Sequence, residues 1–504
     1  MFSKEDAKEI HDLSVDAVID AIEKAADYLE AKKFKMNLYE YPVEDFKLDD
    51  SDKFYSEFKD KIQYVTYKIP RFNMKKYVEG KIDYRYIFKS NFTQDGIEYS
   101  SIRNFNKIVD FVLDHKELLN MFSSKQEHQS VVWAVQSYIS SLVERYMYCF
   151  CRTQKDKKEF VSDLVISKLR RYLDDSLPIK ICIPICLATF EDDYIEISNG
   201  ISIQKISYEF QKARCKAGIY EAIKEEWVSL CTTHMLVLEN YSIPNKEYDS
   251  INQITRNHSS FPLNIVNKFF AAIRICTGYT TGYGQLLVQP IGWADSWFAD
   301  LEILYGTTYQ AFNPNESQKF WMLLQVSRIT PEMVENIKAT FLQLNKKREK
   351  KEESEFRKID IAVQRLNRCL LREEIDDTAL DAIIGIEMLL SGGTQGEITY
   401  TISNRMPVIA ARIPECSYSP NEVRIFMKKI YNFRSAIVHG RELKDKEIYI
   451  VKGEKKIHVK DLAIEFLRFI LIFILKNEEF LDAKKFDEEL DAALLHERTK
   501  GITS

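Results

Sequence analysis

Glycine and proline are scarce in this chain, 16 and 12 among 504 residues. That shortage argues against a loop-rich β architecture and favours helix. Long apolar runs are missing too. The longest, Phe469 to Leu475, lies between Arg468 and Lys476, whereas a bilayer crossing takes about 20 apolar residues. A buried helix or helix–helix interface is expected there, and no membrane partner. The start of the chain carries Lys4, Glu5 and Asp6 and no apolar signal-peptide core, so a cytoplasmic location is expected. Nine cysteines show no paired ligand spacing. Cys149 and Cys151 form a C-x-C, Cys182 and Cys186 sit four apart in an apolar run, and Cys231 with His234 lacks a second pair. Reduced, scattered thiols are expected, with no metal and no cofactor. Positive charge is not in excess either: 71 Lys and Arg face 76 Asp and Glu, for a net −5. Any RNA contact must then come from a local basic patch rather than from the chain as a whole.

A hydrophobic fraction of 45% and a charged fraction of 29% suit a globular chain able to bury a large core, and the length suggests two or three domains. The fold class expected is a mixed α/β N-terminal region followed by an all-α bundle. Residues 1–177 read as a largely helical region of unassigned role. Apolar spacing gives helices over 4–33, 129–150 and 158–173, while Tyr84, Tyr86 and Phe88 hint at a strand by their period of two. Residues 178–344 read as a mixed α/β domain. In "YIEISNGISIQKI" Asn199-Gly200 separates Ile195/Ile197 from Ile201/Ile203, which predicts a hairpin with a type I′ turn. Further strands are expected at Thr233–Leu238 and near Leu286–Val288. "GYTTGYGQ", from Gly278, lacks the Lys-Ser/Thr of a phosphate loop and reads as a turn at a strand edge. The run "NKKREKKEESEFRK", residues 345–358, is a charged linker or solvated helix. After it, residues 359–490 are nearly all helix: Ile359–Leu371, Thr378–Leu390 stopped by Gly392-Gly393, Glu397–Arg412 with Pro407 inside, a fourth helix from Ser419-Pro420, and a fifth over about Lys460–Lys476.

The fourth helix carries the chemistry. On a wheel of 100° per residue Phe426, Ile430, Phe433 and Ile437 form the core stripe. Lys428, Asn432, Ser435 and His439 fall on nearly the opposite side, and Arg434 flanks the stripe. Gly440 suits the residue that stops a helix. A histidine at this end could simply complement the helix dipole, so the wheel alone leaves its role open.

The segment "YNFRSAIVHG", residues 431–440, resembles the R-x₄-H signature of HEPN domains, and in particular the ApeA-like branch with its Tyr-x-x-Arg-Ser-x-Ile-Val-His-Gly pattern. "DDTALDAIIGIEMLL", with Glu387, is similar to the family's second helix, and "ITYTISNRMPVIAAR" to its third. The resemblance covers residues 355 to 480 and leaves 1–340 unassigned. It implies a dimeric helical bundle that cuts RNA without metal, with Arg434 and His439 as the catalytic pair and Ser435 as the polar residue after the arginine. The setting it implies is anti-phage abortive infection, triggered by a phage-derived signal and directed at tRNA or another structured host RNA. The tyrosine two places beyond the histidine, which marks HEPN toxins controlled by nucleotidyltransferases, is replaced here by Arg441.

The residue types fit that chemistry. RNA holds its own nucleophile, the 2′-OH. An imidazole, titrating near 6.5 as a free side chain, can take its proton or protonate the leaving 5′-oxygen. A guanidinium fork holds the charge that builds on the phosphorane oxygens better than an ammonium does. Five residues on a helix turn through about 140°, so Arg434 and His439 of one chain diverge, and two facing helices in a homodimer would form the site. Asn432 and Glu387 are expected to support it, with Lys428, Lys429 and Arg441 holding RNA. Lys452, Lys455 and Lys456 follow in a segment that resembles a basic hairpin. Two other readings stay open: a non-catalytic HEPN module for dimerisation and RNA binding, and a principal function of ligand sensing in residues 1–340 with the bundle as output.

Overall fold

The computed structural model describes residues 3–32, 84–89, 95–217, 232–308, 327–371, 374–392, 398–452, 454–482 and 484–500. They form two compact units whose chain segments alternate. The first comprises Met1–Cys186, Asp192–Phe261 and Tyr283–Ala311; the second comprises Leu187–Glu191, Pro262–Gly282 and Phe312–Ser504. These units cut across the boundaries expected at 178 and 345. No break in composition marks the crossings, because they follow long-range pairing and packing.

In the first unit α1 (Lys4–Lys32), α2 (Phe105–Asp114), α3 (Lys116–Phe122), α4 (His128–Cys149) and α5 (Lys157–Leu173) surround a core that includes Val18, Ile108, Val135, Ile139 and Val165. The expected strand at Tyr84–Phe88 is instead a 3₁₀ turn, Tyr84–Ile87, with Phe88 in a lone bridge to Ile97. Ile87 and Phe88 are both fully buried, and adjacent residues of a strand cannot point to the same face. Most of residues 35–100 lie outside the described residues.

The same unit holds an antiparallel six-stranded sheet in the order β3-β4-β5-β1-β6-β7. Its strands are β1 (Ser176–Pro184), β3 (Tyr194–Ser198), β4 (Ile201–Lys205), β5 (His234–Pro244), β6 (Gln285–Pro290) and β7 (Tyr305–Thr308). The hairpin at Asn199-Gly200 is present, but not as a type I′ turn. Only Gly200 has positive φ, 73°, and the register slips between Glu196 and Ser198. A bulge absorbs the turn that two left-handed residues would otherwise make. Phe210, on α6 (Tyr208–Ala217), packs with Cys182, Met235, Val237 and Leu287 of the sheet. From α5 the buried Arg171 reaches Asn245 Oδ1 at 2.8 Å and Asp295 Oδ1 at 3.2 Å, tying helix to sheet ends. The short α7 (Ser250–Thr255) completes this unit.

The second unit is mainly helical. β2 (Ala188–Phe190) pairs in parallel with β8 (Ser327–Ile329). The helices are α8 (Leu263–Thr277), α9 (Pro331–Asn345), α10 (Lys350–Leu371), α11 (Ile375–Leu390), α12 (Ile398–Ala410), α13 (Pro420–Val438), the short α14 (Asp445–Ile448), α15 (Val459–Lys476) and α16 (Lys484–Lys500). The charge run at 345–358 thus runs into α10. A hairpin of β9 (Tyr449–Lys452) and β10 (Lys455–His458) leads into α15. α15 is the central rod: Phe466, Leu467, Phe469, Ile470, Leu471, Phe473, Ile474 and Leu475 are all buried, which accounts for the greasy run at its centre. Its Arg468 donates to the carbonyls of Ile275 and Cys276, both at 3.0 Å, closing the C-terminal end of α8. Among the described residues no helix is long and apolar enough to cross a membrane.

Candidate active site

α13 is stopped at both ends by its own sequence. At the start Ser419 Oγ accepts the Glu422 N–H at 3.3 Å, and Glu422 accepts the Ser419 N–H at 2.8 Å, a reciprocal capping box. At the other end Gly440 takes φ 62°. Its N–H donates to the Ile437 carbonyl at 3.1 Å, and the Arg441 N–H donates to that of Ala436 at 2.9 Å. These two bonds are the Schellman pattern. His439 is the last residue before the reversal, with its N–H on the Ser435 carbonyl at 3.1 Å.

Burial follows the expected wheel closely. Val423, Phe426, Met427, Ile430, Phe433 and Ala436 are buried, Ile437 is half-buried, and Lys428, Asn432, Ser435 and His439 are exposed. The His439 side chain has no hydrogen bond or ion pair among the described residues. Arg434 lies at the margin of the core stripe with 37% of its side chain exposed.

Glu387 on α11 faces Arg434: its Oε1 lies 3.7 Å from the arginine Nε, and 21% of its side chain is exposed. That separation is an ion pair but not a hydrogen bond, and the buried Nε has no hydrogen-bond partner. Tyr431, almost one turn before Arg434, donates its hydroxyl to the same Oε1. The Arg434 guanidinium carbon sits 5.9 Å from the Tyr431 ring centroid. Burial, then the hydrogen bond to Glu387 and its charge, push the Tyr431 phenol well above its ordinary range, so it stays a protonated donor. Sequence reasoning included Tyr431 only as a letter of the motif and assigned it no role. Its spacing of three from Arg434, which puts both on one helix side, was the available signal.

The expected RNA-holding residues divide into engaged and free. Lys429 donates to the Tyr449 carbonyl at 2.7 Å, and Arg441 donates to Glu447 Oε1 at 2.9 Å, holding that carboxyl below its usual range. Lys452 donates to the Ser417 carbonyl at 2.9 Å, and Lys456 lies 3.9 Å over the Tyr449 ring. Lys428 and Lys455 are exposed and unpaired among the described residues. Of the basic residues expected to hold RNA, Lys428 and Lys455 are thus immediately available to an anion, besides the partly exposed Arg434.

Elsewhere, His234 is buried in β5 with Nδ1 2.8 Å from Thr233 Oγ1, and burial pushes it down to about 4. Its neighbour in the discarded pair, Cys231, lies outside the described residues. No three His, Cys, Asp or Glu side chains converge as a metal site would require among the described residues. Searches against family models, curated proteins and solved structures find no match for this chain.

Proposed function

We propose that the second unit contains a HEPN-type bundle and that the protein is a metal-independent endoribonuclease working as a homodimer. One observation carries the reading: a single helix, stopped at both ends, presents an exposed His439 at its terminus and, five residues earlier, an Arg434 whose guanidinium is only partly engaged. In the proposed reaction an imidazole removes the 2′-OH proton and that oxygen attacks the adjacent phosphorus. The bond to the 5′-oxygen breaks as a second imidazole protonates it. The products are a 2′,3′-cyclic phosphate and a 5′-OH. Arg434 holds the equatorial oxygens as their charge builds. Two copies of α13 face to face supply both histidines and both arginines, since 140° separates the pair on one helix. Lys428 and Lys455 hold flanking phosphates. A trigger of phage origin, and a role in halting growth of an infected cell, are the setting that the motif's resemblance suggests.

The test compares the full-length protein with His439→Ala and Arg434→Ala on RNA in excess EDTA, alongside melting temperature and sedimentation. His439→Ala is expected to keep the fold and the dimer, since exposed substitutions cost about 0.5 kcal/mol or less. Cleavage should fall by about 10² to 10⁴, the usual contribution of general acid–base catalysis. Arg434→Lys should rescue poorly, and a 2′-deoxy residue at the cut should block the reaction. A folded His439→Ala that cuts at the wild-type rate, or products with 3′-OH ends, would overturn the proposal. RNA binding without cleavage by the wild type would identify a binding module instead.

A further inference from the structure

A carboxylate facing an arginine normally closes on it, with two parallel N–H···O bonds at about 2.7–2.9 Å. Glu387 does not. It stands 3.7 Å from Arg434 Nε, and that buried Nε is left without a hydrogen bond. The difference lies in the oxygen that faces Arg434, which already accepts the Tyr431 hydroxyl. The phenol and the guanidinium come from the same side of α13, so they compete for one carboxylate on α11.

We propose that Tyr431 is a positioning residue that keeps Arg434 open to a phosphodiester by holding the Glu387 carboxylate back from full engagement. This rests on the nuclease reading above and deepens it. Glu387 at ion-pair distance offsets the cost of half-burying a guanidinium, yet leaves its donors unfilled. A phosphate oxygen arriving at the site meets an arginine already oriented but not saturated. Without the hydroxyl the carboxylate is free to turn onto the fork, and RNA must then displace an internal anion. The phenol is suited to the task because it remains protonated well past neutral pH.

The test uses full-length wild type, Tyr431→Phe, Glu387→Gln and the double variant. Each is measured for kcat/KM on a labelled RNA oligonucleotide, for Kd on its non-cleavable 2′-deoxy analogue, and for Tm. Tyr431→Phe should weaken binding of the analogue about tenfold, the scale of one charge-assisted hydrogen bond, with Tm unchanged or raised. Adding Glu387→Gln should recover most of that loss, because a neutral amide competes poorly with phosphate for a guanidinium. A merely structural hydroxyl would behave otherwise: Tm would fall, and the double variant would bind no better than the single. Either that pattern or wild-type Kd in Tyr431→Phe overturns the inference while leaving the nuclease reading intact. A wild type that neither binds nor cuts RNA removes both.

Discussion

Replacing Gly440 by alanine changes one backbone preference and nothing else. The residue has φ 62°, and an added Cβ would meet no heavy atom within 4 Å. No clash contributes, so the cost is that of holding an L-residue in the left-handed region, about 1–2 kcal/mol. Alanine also narrows the unfolded ensemble, which returns ~0.4–1 kcal/mol. The net loss should be about 0.5–1 kcal/mol. Gly440→Asn should lose less, because asparagine tolerates this conformation. Function should respond more sharply than stability. Where alanine extends the helix through residue 440, the two reversal bonds at Ile437 and Ala436 are lost, and His439 leaves φ −96°, ψ 6° for helical values, which re-aims its imidazole. Denaturant midpoints and RNA cleavage of the three proteins check this together. An alanine variant as stable as the wild type would refute the backbone argument. One that loses stability but matches Gly440→Asn in cleavage would refute the link to His439.

Gly385→Ala should destabilise by up to about 2 kcal/mol: its Cβ would stand 2.9 Å from both methyls of the fully buried Leu467, and the ~1 kcal/mol of helix propensity gained offsets only part of an overpacking cost of ~1–3 kcal/mol. In a Leu467→Ala background the same change should cost less, a coupling that a double-mutant cycle in denaturant reads directly. His234 gives a pH dependence whose sign is fixed by burial. Its folded value near 4 lies below the unfolded value of about 6.5, so the unfolded chain binds the extra proton and stability falls as pH drops through that window. The slope should approach ~1.4 kcal/mol per pH unit from this residue; a His234→Gln variant that folds and keeps the full slope would show that another group is responsible.

Much of this architecture could be read from spacing alone. α1, α4, α5, α11, α13 and α15 lie within a few residues of where apolar periodicity puts them, because that spacing marks what each must bury, and α1, α5, α13 and α15 also start on a capping side chain. The wheel of α13 anticipated which side chains would be exposed, and Gly440 its end. What escaped depends on partners distant in sequence. β5 runs six residues past Leu238, to Pro244, since its outer part is held by pairing with β1 rather than by its own alternation. The hairpin at Gly200 was anticipated but its bulge was not, because register is set between strands. At the site, Glu387 and Arg434 were both singled out, yet the Tyr431 hydroxyl that holds Glu387 was not. A half-buried tyrosine off the core stripe shows no task until the opposing helix is known.

Arg468 turns the interior of the second unit into a problem of excision. Its half-buried guanidinium projects from the apolar rod of α15 and is satisfied by the last carbonyls of α8, a helix that precedes it in the chain by nearly 200 residues. A scalpel placed at residue 350, where the charge run invites the cut, would remove that helix. It would leave a cation stranded on an apolar surface, with both its hydrogen bonds to α8 gone. The piece that could be transplanted intact into another protein is therefore not a C-terminal cassette. It must carry residues 262–282 with it, and those are tethered on both sides to chain of the other unit.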